Sequence, residues 1–186
     1  MSYPQFYGFT KGDRYCVSWW DGVICLWDEV GEFLKSLIPN YYMLLGEYRH
    51  TLDDKNRLSL PAKARKVLGK KIIITRGLDR CLCVYSLAEW KKFSDGLSGL
   101  SFNQSDSRAF TRFMVSGATE TDVDSAGRIL IPDFLKQYGN LGSKVIVAGV
   151  KNRLELWNEE SWNTYTQQVE QNIEQLAEGL TQLGVL

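Results

Sequence analysis

From residue 43 onward, short runs of alternating apolar and polar residues are followed by a proline and a short amphipathic segment. In the first such unit the pattern predicts a turn at Asp53–Asn56, where asparagine tolerates a positive φ, and a strand at Arg57–Leu60. Pro61 then stands where a helix begins, because proline suits the first helical position. The unit is therefore predicted to be strand, turn, strand and a helix over Ala62–Leu68.

The same unit occurs twice in the chain. Leu52–Pro61 matches Val123–Pro132, with aspartate, arginine and proline recurring at an offset of 71 residues. Leu82–Tyr85 matches Leu154–Trp157 at an offset of 72, so only a small insertion separates the two copies. The second copy is predicted to contain a turn, a strand and a short helix at Asp124–Gly127, Arg128–Ile131 and Asp133–Tyr138.

Further strands and helices complete each copy. The predicted strands are Lys71–Thr75, Cys81–Tyr85, Lys144–Ala148 and Arg153–Trp157. The predicted helices are Leu87–Phe93, Asp106–Ser116 between the copies, and a longer one from Asn158. The last helix carries an apolar stripe, formed by Tyr165, Val169, Ile173, Leu176 and Leu180. Such a stripe is typical either of a packing surface or of a site for a partner.

Charge is balanced over the whole chain but not along it. The 186 residues are 44% hydrophobic and 24% charged, with 22 basic and 22 acidic side chains, as in a soluble globular protein. No apolar run approaches the roughly 20 residues that span a bilayer. Residues 43–92 hold twelve Lys or Arg against five Asp or Glu, whereas from residue 154 onward there are six Glu and no Lys or Arg. Either a basic binding surface is separated from an acidic tail, or solvated faces merely differ in charge.

Motifs for enzymatic chemistry are missing from the sequence. It contains no GxxxxGK[ST], GxSxG or HExxH motif, and His50 is its single histidine. The cysteines are Cys16, Cys25, Cys81 and Cys83. Cys81 and Cys83 alternate along a predicted strand, which favours buried reduced thiols over a disulfide or a zinc site. We therefore expect no catalytic residues, no metal and no cofactor.

The repeated Asp-x-x-x-Arg turn instead favours a binding module. Arg57 and Arg128 stand at the base of two similar turns, and Lys55 lies near the tip of the first. Arginine can bind the O6 and N7 atoms of guanine with two hydrogen bonds, and lysine can hold phosphates. Asp53 and Asp124 would brace the arginines. The spacing fits equally well an Asp–Arg pair that only locks each turn, and the basic surplus around the first copy favours DNA.

At this point the sequence resembles a known family. Gly46–Lys63 closely resembles the start of the MraZ family, and three later segments resemble its other motifs: Thr75–Asp79, Gly117–Glu120 and Asp124–Pro132. The resemblance extends from Met43 to the C terminus. Asn56 departs from the family pattern, which usually has glycine there, but asparagine accepts the same turn conformation.

The resemblance implies a β-rich α+β fold. It consists of two tandem AbrB-like β-barrel halves of the swapped-hairpin (double-split) type, with short helices and a C-terminal helix. The expected divisions are an extension at 1–42, SpoVT-AbrB-like domains at 43–95 and 117–162, a linking helix at 96–116 and the C-terminal helix at 163–186.

The resemblance also implies a bacterial transcription regulator that is cytoplasmic, nucleoid-associated and free of any membrane or small-molecule substrate. Its partners would be double-stranded DNA, at repeated TGGG-type boxes before its own gene and the division and cell-wall gene cluster, and further copies of itself in a ring. The expected DNA-contacting residues are Arg57, Lys55, Arg128 and Arg49, and the expected turn-bracing residues are Asp53, Asp124, Asn56 and Gly127. The alternative is a ring-forming structural or interaction protein that binds nucleic acid without sequence preference.

Residues 1–42 fit neither copy of the repeat. Acidic residues interrupt their apolar runs, which excludes a secretory signal, and only Asp28–Ile38 predicts a short helix. Trp20-Asp21 and Trp27-Asp28 must each be encoded by TGGGAY, and they lie seven codons apart, which is 21 bases. That distance is about two turns of B-DNA at roughly 10–10.5 bp each. The segment is therefore expected to be either a translated operator ahead of a natural start at Met43 or a lineage-specific extension.

Overall fold

A computed structural model of the protein describes residues 17–20, 23–26 and 43–184, and the chain forms two units, Met1–Tyr42 and Met43–Leu186. In the first unit, β1 (Val17–Trp20) and β2 (Val23–Leu26) pair as an antiparallel hairpin. The sequence pattern predicted neither strand, because four residues are too few for alternation to be recognised. The helix expected at 28–38 lies outside the described residues.

Residues 43–184 contain eight strands and five helices. The strands are β3 (Leu44–Thr51), β4 (Arg57–Ser59), β5 (Lys71–Arg76), β6 (Leu82–Ser86), β7 (Thr119–Asp122), β8 (Arg128–Leu130), β9 (Lys144–Lys151) and β10 (Arg153–Asn158). The helices are α1 (Ala62–Leu68), α2 (Leu87–Ser98), α3 (Ser105–Ser116), α4 (Asp133–Tyr138) and α5 (Glu159–Gln182). The bounds of α1 and α4 are those predicted, whereas α2 extends beyond the predicted Phe93 to Ser98.

The two copies of the repeat exchange strands in one antiparallel sheet. Its order is β3-β9-β10-β6-β5-β7, so the first strand of each copy pairs with a strand of the other copy. The strands β4 and β8, which follow the two turns, form a separate two-stranded ribbon. Tandem AbrB-like halves with swapped strands are thereby confirmed, although β3 and β7 remain at opposite edges of the sheet and the barrel is not closed.

A pseudo-twofold axis relates the two copies. At the centre of the sheet Cys83 is opposite Glu155, and at the centre of the ribbon Leu58 is opposite Ile129. Each pair consists of equivalent positions in the repeat. The axis therefore passes through both centres, and it places the turn that precedes β4 in the same surroundings as the turn that precedes β8.

The main core lies between the ribbon and one face of the sheet. Leu58, Ile129, Ile72, Leu82 and Leu156 are all fully buried in it. Burial of large aliphatic side chains on this scale is what stabilises the fold, at roughly 1.5–3 kcal/mol for each side chain. Because both strands of the ribbon contribute to this core, the positions of the two turns are fixed by it.

The opposite face of the sheet carries a second, aromatic cluster. Cys81, Cys83, Tyr85, Ile146 and Trp157 are buried there, next to Trp90 of α2 and Trp162 of α5. Both cysteines are free thiols, as predicted. The apolar stripe of α5 packs only at its start, where the Tyr165 ring lies 5.0 Å from that of Trp157. Val169 is half-buried, and the last three members, Ile173, Leu176 and Leu180, are exposed in the single chain.

Among the described residues, no helix has both the length and the apolar character needed to cross a membrane.

Candidate nucleic-acid interface

The first turn is built around the carboxylate of Asp53. Its Oδ1 accepts backbone N–H bonds from Lys55 at 2.9 Å and Arg57 at 2.8 Å, as in other Asx turns. Its Oδ2 accepts from Nε and Nη2 of Arg57, each at 2.8 Å. Asn56 has a φ of 56°, which closes the turn in the left-handed region. One aspartate therefore fixes both the backbone of the turn and the side chain of the arginine.

The second turn repeats this geometry. Asp124 Oδ1 accepts from the backbone of Ala126 at 2.9 Å and Arg128 at 2.8 Å, while Oδ2 accepts from Arg128 Nε and Nη2 at 2.8 Å. Gly127 has a φ of 78° at the position of Asn56. In both turns the side chains of the arginine and the aspartate are 34% and 37% exposed. Asp53 and Asp124 thus accept the same set of hydrogen bonds, each in its own turn.

Hydrogen bonding lowers the pKa of both carboxyl groups. For Asp53 the largest cause is the side-chain hydrogen bond from Arg57, followed by the backbone hydrogen bond from the same residue. For Asp124 the backbone hydrogen bond from Arg128 contributes most. Both aspartates are therefore ionised at neutral pH, and each guanidinium is held by a full negative charge.

The two turns lie at opposite ends of the antiparallel ribbon, and the backbone of each bonds to the other copy just past its strand. Arg57 pairs with Leu130 and Arg128 with Ser59, so the two arginines stand on the same face of the ribbon, two positions apart. The carbonyl of Gly127 accepts from the Leu60 N–H, and the carbonyl of Asn56 accepts from the Ile131 N–H, both at 2.9 Å. The exposed ends of Arg57 and Arg128 thus belong to one rigid unit. Rigid positioning is what a surface needs if it is to contact two places on one ligand.

Side chains that the sequence did not point to cover the turns. Asn56 Nδ2 donates to Asp133 at 2.6 Å, and Lys136 Nζ donates to Asn56 Oδ1 at 2.7 Å. A Cβ at Gly127 would overlap the guanidinium of Arg65. Arg65 and Lys136 are equivalent positions of the repeat, so each helix after a turn places a basic residue on the turn of the other copy. The sequence could have indicated Arg65 and Lys136 only through their equivalent positions in the repeat, because exposed basic residues are common on helices.

The other predicted contact residues differ in their placement. Lys55 is exposed at the tip of the first turn, where the second turn has alanine. Arg49 is exposed in the middle of β3, opposite Ile146, on an edge strand of the sheet. Within residues 43–184 no hydrogen bond or ion pair joins Arg49 to either turn.

Comparison with known proteins decides the family. The family described as "MraZ protein, putative antitoxin-like" matches the chain twice, over residues 43–113 and 114–183. These two matches cover both copies of the repeat. The chain belongs to the MraZ family.

Individual MraZ relatives support this assignment over their full length. The "Transcriptional regulator MraZ" of Desulforamulus reducens is 46% identical over 141 residues, which are 76% of this chain and 99% of that protein. Proteins of the same name from Caldanaerobacter subterraneus and Moorella thermoacetica are 45% and 44% identical over 143 residues, which are 77% of this chain and 100% of each relative.

The assignment to MraZ bears directly on the function class. MraZ proteins are transcriptional regulators and not enzymes, which confirms the predicted function class. The geometry of the turns agrees with this, because each aspartate is used in holding an arginine and a backbone.

Proposed function

We propose that this protein binds double-stranded DNA in a sequence-specific manner through Arg57 and Arg128, and so regulates transcription. The observation that carries the proposal is the pair of aspartate-braced arginines on one face of the ribbon. Nε and one hydrogen of Nη2 are used by the brace in each turn, at 2.8 Å. The donors of Nη1 and the second hydrogen of Nη2 face away from the aspartate and remain for a base edge.

These remaining N–H donors of the guanidinium match the acceptor atoms of guanine. Two parallel N–H donors of arginine fit the O6 and N7 acceptors in the major groove, and a good pair gives about 1–3 kcal/mol of discrimination against other bases. Lys55 at the tip of the first turn, and Arg65 and Lys136 on the helices, add positive charge that suits phosphates. Arg49 stands opposite Ile146, on the sheet face away from the ribbon, so we leave it out of this contact surface.

The target that fits these contacts is G-rich and repeated. We propose TGGG-type boxes before the protein's own gene, in the division and cell-wall gene cluster, with neighbouring subunits of a ring each binding one box. Boxes about one helical turn apart would face the same side of the duplex. Linked sites would then raise the overall affinity without any further contact. The protein would act at the nucleoid, inside the cytoplasm.

The test is binding to the DNA upstream of the protein's own gene, measured by fluorescence anisotropy against a scrambled sequence of equal length. Arg57→Ala should abolish the preference for the upstream DNA, while circular dichroism and light scattering show an unchanged fold and assembly. Arg57→Lys is the matched control for charge: it keeps the positive charge but loses the paired N–H donors, so it should keep non-specific binding and lose the preference.

Arg128→Ala should also reduce the preference, but less, because the second turn has Ala126 where the first has Lys55. Equal, salt-dependent binding of the unsubstituted protein to both DNAs would overturn the proposal in favour of a ring that binds nucleic acid non-specifically. An Arg57→Ala protein that keeps its preference would overturn the role of that arginine.

A further inference from the structure

The centre of the six-stranded sheet carries polar groups that the DNA-binding turns do not use. On the face away from the ribbon, Cys83 of β6 is directly opposite Glu155 of β10, and Cys81 precedes β6 on the same face. The two copies of the repeat differ at these equivalent positions. The first copy supplies Cys81 and Cys83, and the second supplies Arg153 and Glu155.

The three potential ligand atoms lie close together. The Sγ atoms of Cys81 and Cys83 and a carboxylate oxygen of Glu155 are all within 4.8 Å of one another. Gly77 borders this group, and a Cβ there would overlap both sulfur atoms. A glycine at position 77 therefore leaves the space that the two thiols occupy.

The carboxylate of Glu155 is held in a fixed orientation. Its Oε1 accepts from Arg153 Nη2 at 2.7 Å and Nε at 3.0 Å, and its Oε2 accepts from Trp157 Nε1 at 3.2 Å. Its side chain is only 15% exposed. Oε1 accepts two of these bonds and Oε2 only one, so Oε2 keeps a free lone pair for a metal ion. Outer partners of this kind are what orient the ligands in protein metal sites.

A cavity of about 310 Å³ adjoins the three groups. Asp79 lines it from the turn after β5, and Phe93, Met114 and Tyr165 line it from the three helices. The space is ample for a metal ion and a water molecule, whose share of liquid volume is about 30 Å³. The ligand atoms thus face an open position and not packed side chains.

We propose that Cys81, Cys83 and Glu155 form a zinc site that joins the two copies of the repeat. Two sulfurs and one oxygen suit a borderline-soft divalent ion, and three protein ligands with a water complete its tetrahedron. On binding, Zn²⁺ replaces the two thiol protons, which leave to solvent. Two thiolates, the Glu155 carboxylate, the Arg153 guanidinium and Zn²⁺ then sum to zero charge, so the buried site carries no net charge.

The experiment uses the full chain, reduced and stripped of metal, with Cys16→Ser and Cys25→Ser as background so that only two thiols remain. Titration with Co²⁺ should give one ion per chain and a sulfur-to-metal charge-transfer absorption, and Zn²⁺ should displace it. Cys81→Ser or Cys83→Ser should abolish that absorption. Glu155→Gln should keep it but weaken binding at least 10-fold, the lower end of the loss seen for outer partners alone.

Glu170→Gln is the matched control, because Glu170 is an exposed carboxylate on α5. It should bind Co²⁺ as the background protein does. Absence of stoichiometric binding, or binding that survives both cysteine substitutions, would overturn the proposal. Since serine at position 81 or 83 could impair folding, ¹¹³Cd NMR of the background protein provides a second measurement. A resonance in the range of two-sulfur sites supports the site, and one in the all-oxygen range overturns it.

Discussion

At the scale of single residues, the aspartate of each turn determines what its arginine can do. One carboxylate oxygen holds the backbone of the turn and the other holds the guanidinium, at 2.8 Å in both copies. An arginine held in this way loses little side-chain entropy when it binds a base, which is the general benefit of preorganisation. The sequence spacing predicted the pairing itself, because four residues across a tight turn bring the two groups together.

The pKa of Asp53 should report this brace. Its pKa in the folded protein lies below the ordinary 3.8, so the brace stabilises the fold above about pH 4, and this contribution is lost as the pH falls through the lowered pKa. Arg57→Ala removes the largest cause of the shift. A ¹³C NMR titration of the side-chain carboxyl should therefore show the pKa of Asp53 moving up toward 3.8 in that variant.

Asp124 provides the internal control for this titration. The lowered pKa of Asp124 arises from hydrogen bonds with Arg128 and Ala126, so Arg57→Ala should leave that pKa unchanged. An unchanged pKa of Asp53 in the Arg57→Ala protein would mean that the guanidinium does not hold the carboxylate in solution.

Lys55 should contribute to the affinity for DNA without any preference for the upstream sequence. It is exposed at the tip of the first turn and makes no side-chain hydrogen bond or ion pair among the described residues, so it is free to meet a phosphate. Lys55→Ala should weaken binding to upstream and scrambled DNA by the same factor and should reduce the slope of log K against log salt by about 1. Anisotropy at several salt concentrations measures this slope.

Lys91→Ala is the matched control for that measurement, since Lys91 is an exposed lysine paired with Asp95 on α2. It should leave the slope unchanged. A loss in the Lys55→Ala protein that is confined to the upstream DNA would assign Lys55 to base contact instead.

At the scale of elements, local signals predicted the helices well. Pro61 and Pro132 precede α1 and α4, and Gly69 and Gly139 follow them, so both bounds of each helix are marked in the sequence. The end of α2 was missed because Ser94-Asp95-Gly96 are residue types typical of turns, while the helix continues through buried Leu97 to the Gly99 cap. The pairing of β3 with β9 has no local signal, since alternation shows which face of a strand is buried and not which strand it joins.

The ribbon should be the element whose loss damages the fold most. Ile129 is fully buried at its centre, opposite Leu58. Ile129→Ala should lower the free energy of unfolding by about 2–5 kcal/mol, the usual cost of such a truncation in a core. Leu130→Ala, the next residue along β8, is the control: that side chain is 53% exposed and should change stability by no more than about 0.5 kcal/mol. Urea denaturation measures both, and equal costs would contradict the burial of the ribbon.

At the scale of the whole molecule, the exchange of strands makes the two copies interdependent. The candidate zinc site follows from this exchange, because Glu155 reaches Cys83 only through the pairing of β10 with β6. No spacing rule finds a ligand set whose members stand 72 residues apart in the sequence. The placement of Arg57 and Arg128 on one ribbon has the same origin, since β4 and β8 come from different copies.

This interdependence predicts that neither copy folds as a monomer. In residues 43–116 alone, β3 would lack β9, β5 would lack β7 and β4 would lack β8, so each strand would expose an unpaired edge and half of the core. That fragment should be either unfolded or a dimer in which a true twofold axis replaces the pseudo-twofold one. Mixing it with residues 117–184 should restore a one-to-one complex with the circular dichroism spectrum of residues 43–184. Analytical ultracentrifugation of each fragment and of the mixture measures this, and a folded, cooperatively melting monomer of either fragment would contradict the exchange of strands.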